Sequence, residues 1–216
     1  MDYEKYFSFR NLDEAIEIQN KLAKKIVLQD KFSSLSFVGG ADASSKDGKI
    51  LGVIVVLEMD TLRCVEVQRF VTEEKIPYIP TFLSFREGLS IVKCWENLRI
   101  KPDILIVDGQ GYAHPRRLGI ASHIGVVLDI PTIGCAKKPL VGNFKIPGNK
   151  RGEYEYIYHR KEVVGIVLRT KENVKPVFVS PGHKVSLESA REIILKTIAK
   201  YRLPEPIRWA HYYSLK

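Results

Sequence analysis

Ile104-Leu105-Ile106-Val107-Asp108-Gly109 is the stretch on which the fold turns. A short, unbroken apolar run of this kind reads as a strand buried on both faces, the pattern of parallel pairing with helices above and below. Asp108 stands where that strand ends, and ligands of α/β sheets gather at the carboxyl ends of strands. An Asp at a strand end is also a common turn former, so the position alone does not decide between the two.

Reading toward the N-terminus, a helix is expected from about Thr81 to Leu98, preceded by the stiff, non-helical Pro77-Tyr78-Ile79-Pro80. Before that come three strand-like runs, Leu35 to Ser44, Ile50 to Glu58 and Arg63 to Val71. Lys46-Asp47-Gly48 and Asp60-Thr61 join them as short polar turns, which predicts an antiparallel meander. A first helix is signalled by Asn11 with Glu14 three residues on, then by a stripe through Ile16, Leu22, Ala23, Ile26 and Val27 to about Leu28.

Reading toward the C-terminus, a Gly-rich loop and a short helix lead to Thr132–Ala136, the expected next parallel strand. Tyr154 to Tyr158 and Val163 to Arg169 resemble a hairpin, Val177 to Ser180 a short strand, and Ser186 to Lys200 an amphipathic helix. The tail with Pro204, Pro206 and Trp209-Ala210-His211-Tyr212-Tyr213 receives no assignment. The order predicts an α/β fold: a mixed sheet, antiparallel in its first three strands and parallel after them, flanked by helices. It resembles the ribonuclease H-like arrangement.

The 216 residues contain no linker, repeat or low-complexity tract, so a single domain over residues 1–216 is expected. Hydrophobic residues at 45% suffice for a core, and charges at 27% are spread along the whole chain. The net charge of +9, from 34 Lys and Arg against 25 Asp and Glu, suggests an anionic partner, of which nucleic acid is the commonest. Cys64, Cys94 and Cys135 have neither zinc spacing nor an even count, which points to a reducing compartment. Met1 to Arg10 lacks the apolar run of a signal peptide, and no segment approaches a membrane span, so a cytoplasmic protein without a membrane partner is expected.

Three acids invite attention. Asp42 lies in a strand after Gly39-Gly40-Ala41, where an Asp needs a metal, a cation or a bend to explain it. Glu87 falls on the apolar helical stripe of Leu83, Ile91 and Cys94, costly unless it is ion-paired or near a metal. With Asp108 they offer the oxygen ligands that a hard divalent cation takes, and such a cation activates water against a phosphodiester.

The loop Asp108 to Gly125, DGQGYAHPRRLGIASHIG, is dense in Gly, His and Arg. Its glycines permit close backbone approach, Arg116 and Arg117 can meet phosphates, and His114 and His123 add polar groups. Lys137 follows a strand end, as Asp108 does. A cation there can contact a phosphate or simply face solvent. Tyr78 and Ile79 between two prolines form either a tip able to push between bases or an ordinary turn.

Together these blocks resemble the endonuclease V family. The matching stretches are Gly39-Gly40-Ala41-Asp42, Pro77 to Pro80, Phe85-Arg86-Glu87-Gly88, Asp108 to Gly125, Pro131 to Lys137, Ser180-Pro181-Gly182-His183, and Pro204-Glu205-Pro206 with Ala210-His211. The resemblance implies a ribonuclease H-like fold and Mg²⁺-dependent hydrolysis, with Mn²⁺ able to substitute. It implies that Asp42 and Asp108 bind the metal, that Glu87 completes the acidic site with His211 beside it, and that Lys137 contacts phosphate. Tyr78, with Ile79 and Pro80, becomes a wedge. Leu83, Gly109, Gly134 and Leu140 become the lining of a pocket for a flipped hypoxanthine, bordered by His114. The implied reaction cuts the second phosphodiester bond 3′ to a deaminated base, leaving a 3′-hydroxyl and a 5′-phosphate. Lys138 stands where many members have Ser, and Ala43 where a larger aliphatic residue is common, which affects substrate preference more than chemistry. The expected partner is DNA carrying deaminated bases, or inosine-containing RNA, acted on by a monomer. A non-catalytic nucleic-acid binder and an inosine-specific ribonuclease on the same fold are the alternatives.

Overall fold

The computed structural model describes residues 2–216. Its frame is an eight-stranded mixed sheet. Strands β1 (Phe37–Lys46), β2 (Lys49–Glu58) and β3 (Cys64–Glu73) form the expected antiparallel meander. Asp47 and Gly48 both take positive φ, 51° and 72°, the backbone of a tight hairpin whose twist suits its strands. Strand β4 (Ile104–Val107) runs parallel to β1, and β5 (Thr132–Ala136) runs parallel to β4. The second arm is antiparallel. It comprises β6 (Tyr154–His159), β7 (Glu162–Leu168) and β8 (Val177–His183), with β8 paired against β5. The order across the sheet is β3-β2-β1-β4-β5-β8-β7-β6. Parallel pairing is therefore confined to β1, β4 and β5.

The run at 104–107 is buried along its whole length. Ile104 and Ile106 pack on one face with Ile133, Ile193 and Ile207, while Leu105 and Val107 pack on the other with Ile91, Ile120 and Ile124. A strand alternates its side chains between two faces, and both faces here are covered by helices.

Five α-helices do the covering: α1 (Leu12–Ala23), α2 (Leu83–Asn97), α3 (Ile120–Leu128), α4 (Leu187–Lys196) and α5 (Glu205–Ser214). Asn11 caps α1 by accepting from Glu14 N at 2.9 Å, but the Glu14 carboxylate reaches back to Arg10 N at 2.7 Å, one residue short of a reciprocal capping box. The helix stops at Ala23 rather than near Leu28. Val27 is drawn away because its N–H donates to His183 Nδ1 at 3.2 Å and its carbonyl accepts from Lys184 N at 2.7 Å. Helix α2 begins two residues after the expected Thr81, whose φ of 71° is left-handed. Helix α4 ends at Lys196 instead of Lys200; the buried Thr197 beyond it turns its hydroxyl onto the carbonyls of Ile193 and Ile194.

Helix α5 is the α-helix missing from the sequence reading. Pro204 occupies its N-cap and Pro206 its first turn, where a missing N–H costs nothing. The helix lies against β1 because Gly40 has no side chain: a Cβ there would stand 2.1 Å from the carbonyl oxygen of Pro206. Among the described residues no helix is long and apolar enough to cross a membrane.

Candidate active site

The close approach at Gly40 brings α5 over the carboxyl end of the parallel strands. His211 and Ser214, three residues apart, share one face of that helix. His211 Nδ1 lies 2.9 Å from Asp42 Oδ2, and the Ser214 hydroxyl donates to the same oxygen at 3.0 Å. Asp42 on β1 and Asp108 at the end of β4 are neighbours because β1 and β4 pair in parallel, with Ala41 opposite Val107. Asp42, Asp108 and His211 each offer a ligand atom, all within 4.8 Å of one another. Lys137, just beyond β5, places Nζ 2.5 Å from Asp108 Oδ2.

The carboxyls of this cluster act on one another. Burial, reinforced by the charge of Asp42, pushes the Asp108 carboxyl above its ordinary range, and Lys137 offsets part of the rise. Glu87 on α2 stands outside the three-residue group but feels it. Burial first and Asp42 second raise its carboxyl to about 8, with Asp108 and Glu74 adding and Arg86 opposing. Carboxylates gathered this way favour a cation among them. The two carboxylates, with the imidazole beside them holding Asp42, suit a hard divalent ion bound through oxygen.

One residue beyond Asp108 the surroundings change. A cavity of about 290 Å³ is lined by Tyr78, Thr81, Leu83, Ser84, Gly109, Gln110, His114, Leu118, Gly119, Ile120, Lys138, Pro139 and Leu140. Its walls are mainly apolar, with Tyr78 at 59% exposure on the rim. Gly109 has φ 153°, and a Cβ on it would meet Ile120 at 2.6 Å. The Gln110 amide donates to the Lys138 carbonyl at 2.9 Å, tying the two sides together. His114 is buried, and burial lowers its pKa to about 4. Its Nε2 donates to Thr81 O at 3.0 Å and its Nδ1 accepts from Arg116 N at 3.2 Å, which fixes a neutral tautomer.

Asp42, Asp108, His211 and Lys137 are thus brought into one cluster with Glu87 behind it, and Tyr78, Leu83, Gly109, His114 and Leu140 surround the cavity. Three expected positions fall elsewhere. Gly134 stands behind the cavity wall: a Cβ there would come within 2.3 Å of Gly111 N, so its smallness seats the loop against β5. Ile79 is not at a tip but packs inward with Phe82 and Phe85, because alternate residues of an extended segment face opposite ways. Pro80 is exposed and outside the cavity lining.

The arginines of the loop are engaged within the fold. Arg116 binds Gln19 and Thr81, and Arg117 binds Glu162 and His159. His123 is buried and stacked on Phe7, with its pKa lowered to about 3 by burial, so it belongs to the core. Ser214, Gln110 and Thr81 escaped the sequence reading. For Ser214 the signal was available: prolines at the start of a helix and a spacing of three from His211.

Known proteins share this fold. A family profile described as Endonuclease V matches residues 20–212. An endonuclease V of Dictyoglomus thermophilum is 61% identical over 217 residues, covering 100% of this chain and 95% of the relative. The crystal structure of an endonuclease V from Streptomyces avermitilis superposes with a TM-score of 0.90 at 36% identity, covering 95% of this chain and 92% of that one. An endonuclease V from Ciona intestinalis, solved with a 23mer DNA containing an inosine followed by a ribo-adenosine, is 29% identical with a TM-score of 0.85, covering 96% of this chain and 97% of that one.

Proposed function

The chain belongs to the endonuclease V family, whose members are nucleases that hydrolyse phosphodiester bonds, and from that premise we propose that it recognises deaminated purines, inosine above all, in DNA. On this reading it hydrolyses the second phosphodiester bond 3′ to the lesion and leaves a 3′-hydroxyl and a 5′-phosphate. The observation that carries the proposal is the adjacency of two unlike sites. Asp108 belongs to the acidic cluster and Gly109 lines the cavity, and Lys137 and Lys138 repeat that relation beyond β5. A base held in the cavity leaves the strand beyond it beside the carboxylates. The Ciona intestinalis relative, solved with inosine-containing DNA, supports the choice of substrate.

The donor set favours Mg²⁺, with Mn²⁺ as substitute, held by Asp42 and Asp108. When bound, such an ion supplies Lewis-acid activation of phosphate and lowers the pKa of water. His211 and Ser214 hold one oxygen of Asp42 through hydrogen bonds and so orient the other. Glu87 completes the acidic site behind Asp42 and Asp108, its carboxyl raised by burial and by the charge of Asp42. Lys137 presents a cation to the phosphate being cleaved. Tyr78 stacks in the gap that the extruded base leaves, with Pro80 stiffening the wedge and Ile79 rooting it. Leu83, His114, Leu140 and the backbone at Gly109 hold the base, and Gly134 backs that wall.

One chain supplies every group of both sites, which suits a monomer of one catalytic domain spanning residues 1–216. Free thiols at Cys64, Cys94 and Cys135 suit the reducing cytoplasm. The test is a cleavage assay on matched DNA and RNA oligonucleotides carrying one inosine, with and without Mg²⁺, with product ends mapped. Metal-dependent nicking at the second bond 3′ to inosine in DNA is expected. Cutting of RNA alone would make the protein an inosine-specific ribonuclease, and inosine binding without any cutting would make it a binder.

A further inference from the structure

Thr81 is a β-branched residue at φ 71°, a left-handed conformation that such side chains rarely adopt. It is held there from three directions. Its carbonyl accepts from Gln19 Nε2 on α1 at 2.9 Å, from His114 Nε2 at 3.0 Å and from Arg116 Nη2 at 3.3 Å. Its hydroxyl accepts from Arg116 Nη2 at 2.6 Å. Arg116 closes the circuit, with Nε on Gln19 Oε1 at 2.5 Å and its guanidinium 4.6 Å from the Phe82 ring centroid. Gln19 and His114 are buried.

The position of this peptide matters. Thr81 follows Pro80 directly and lines the cavity together with Tyr78, Leu83 and His114. The segment 76–82 packs on a small cluster of its own, in which Ile76, Ile79 and Phe82 meet Ala15 and Ile16 of α1. The wedge is therefore mounted on α1, and the Thr81 clamp joins that mount to the loop after β4 that forms the cavity wall. Strained residues persist where surrounding contacts over-determine them, and they collect at ligand clamps.

We propose that Thr81 is a positioning residue for lesion selectivity, its hydroxyl and carbonyl locking α1, the wedge and the cavity wall into one register through Gln19, His114 and Arg116. This rests on the reading of the cavity as a base site. Thr81 touches no reacting atom in this role; it sets where Tyr78 stands over the cavity before substrate arrives, as preorganisation requires.

The test compares Thr81→Gly and Thr81→Ser with the unaltered protein, on an inosine-bearing DNA duplex and on the same duplex without inosine. Glycine adopts positive φ freely, so the first variant folds with its strain removed and its hydroxyl gone. It is expected to raise KM for the inosine duplex about tenfold and to lower the preference over undamaged duplex to the same degree, with kcat within about twofold. Thr81→Ser keeps the hydroxyl and is expected to restore the unaltered KM. Gln19→Leu is expected to shift KM in the same direction as Thr81→Gly. Unchanged KM and preference in Thr81→Gly, a fall in kcat of the same size, or a serine variant as impaired as the glycine one would overturn the proposal. Absence of inosine-directed nicking by the unaltered protein would instead overturn the functional reading beneath it.

Discussion

Asp108 and Gly109 are consecutive, yet they serve regions built on opposite electrostatic terms. On the Asp108 side, burial and mutual repulsion push the carboxyls of Asp108 and Glu87 upward, and Lys137 compensates only in part. On the Gly109 side, burial keeps His114 neutral with both ring nitrogens partnered, and the walls are mainly apolar, with Leu83, Leu118, Ile120 and Leu140 among them. The first region stores unfavourable charge that a cation would relieve. The second has its polar groups partnered as folded and, on the proposed reading, selects by shape. Chemistry and recognition can therefore be damaged separately, although a single peptide bond joins them.

The largest effect should come from removing a carboxylate of the cluster. Asp42→Ala or Asp108→Ala is expected to lower nicking of an inosine duplex by about 10³-fold or more, roughly 4 kcal/mol of barrier, while lesion binding by gel shift stays within a few-fold. Near-normal cutting by either variant would dissolve the distinction between the regions.

Glu87 offers a measurement without substrate. Its carboxyl titrates near 8 in the folded chain, against the ordinary 4.5. Between those values the unfolded chain has lost a proton that the folded chain keeps, so stability falls as pH rises through this window. At pH 9 without metal, Glu87→Gln should therefore raise Tm by about 4–8 °C, the equivalent of ~2 kcal/mol for a chain of this size. The gain should vanish at pH 4, and it should shrink when Mg²⁺ is added to both proteins. An equal Tm at pH 9 would show that the acidic region carries no stored repulsion.

On the recognition side the expected effects are smaller. Tyr78→Ala should reduce the preference for inosine over undamaged DNA by about tenfold, in line with one lost base–aromatic stack. Its Tm should be unaltered, since the ring is mostly exposed. Unchanged preference would remove Tyr78 from the base site. The smallest expected change is none at all: with Asp42→Ala present to prevent cutting, affinity for the inosine duplex should stay flat from pH 5 to 8, because His114 is neutral throughout that range. A steep loss of affinity below pH 6.5 would mean that a protonated histidine faces the base.

Legibility followed how local each cause was. The strand ending at Asp108 was readable because burial on both faces is written in four adjacent residues. Asp42 was readable because an acid after Gly39-Gly40-Ala41 in a strand has few reasons to be there. Helix α5 receives no assignment from the sequence, although prolines at a helix start are a standard signal. Arg116 and Arg117 read as groups able to meet phosphates because nothing in their own stretch discloses Gln19, which is 97 positions from Arg116, or Glu162. The strain at Thr81 was equally hidden: threonine carries no sequence mark of a left-handed backbone, as glycine would.

The bond between His211 and Asp42 spans 169 positions. A ribosome adding residues in order supplies Asp42, then the wedge at Pro77–Pro80, then the cavity residues through Leu140, and only much later His211 and Ser214. An unfinished chain thus carries Asp42 without the two groups that hold its carboxylate. Whatever chemistry Asp42 supports therefore waits on synthesis of the stretch that carries α5.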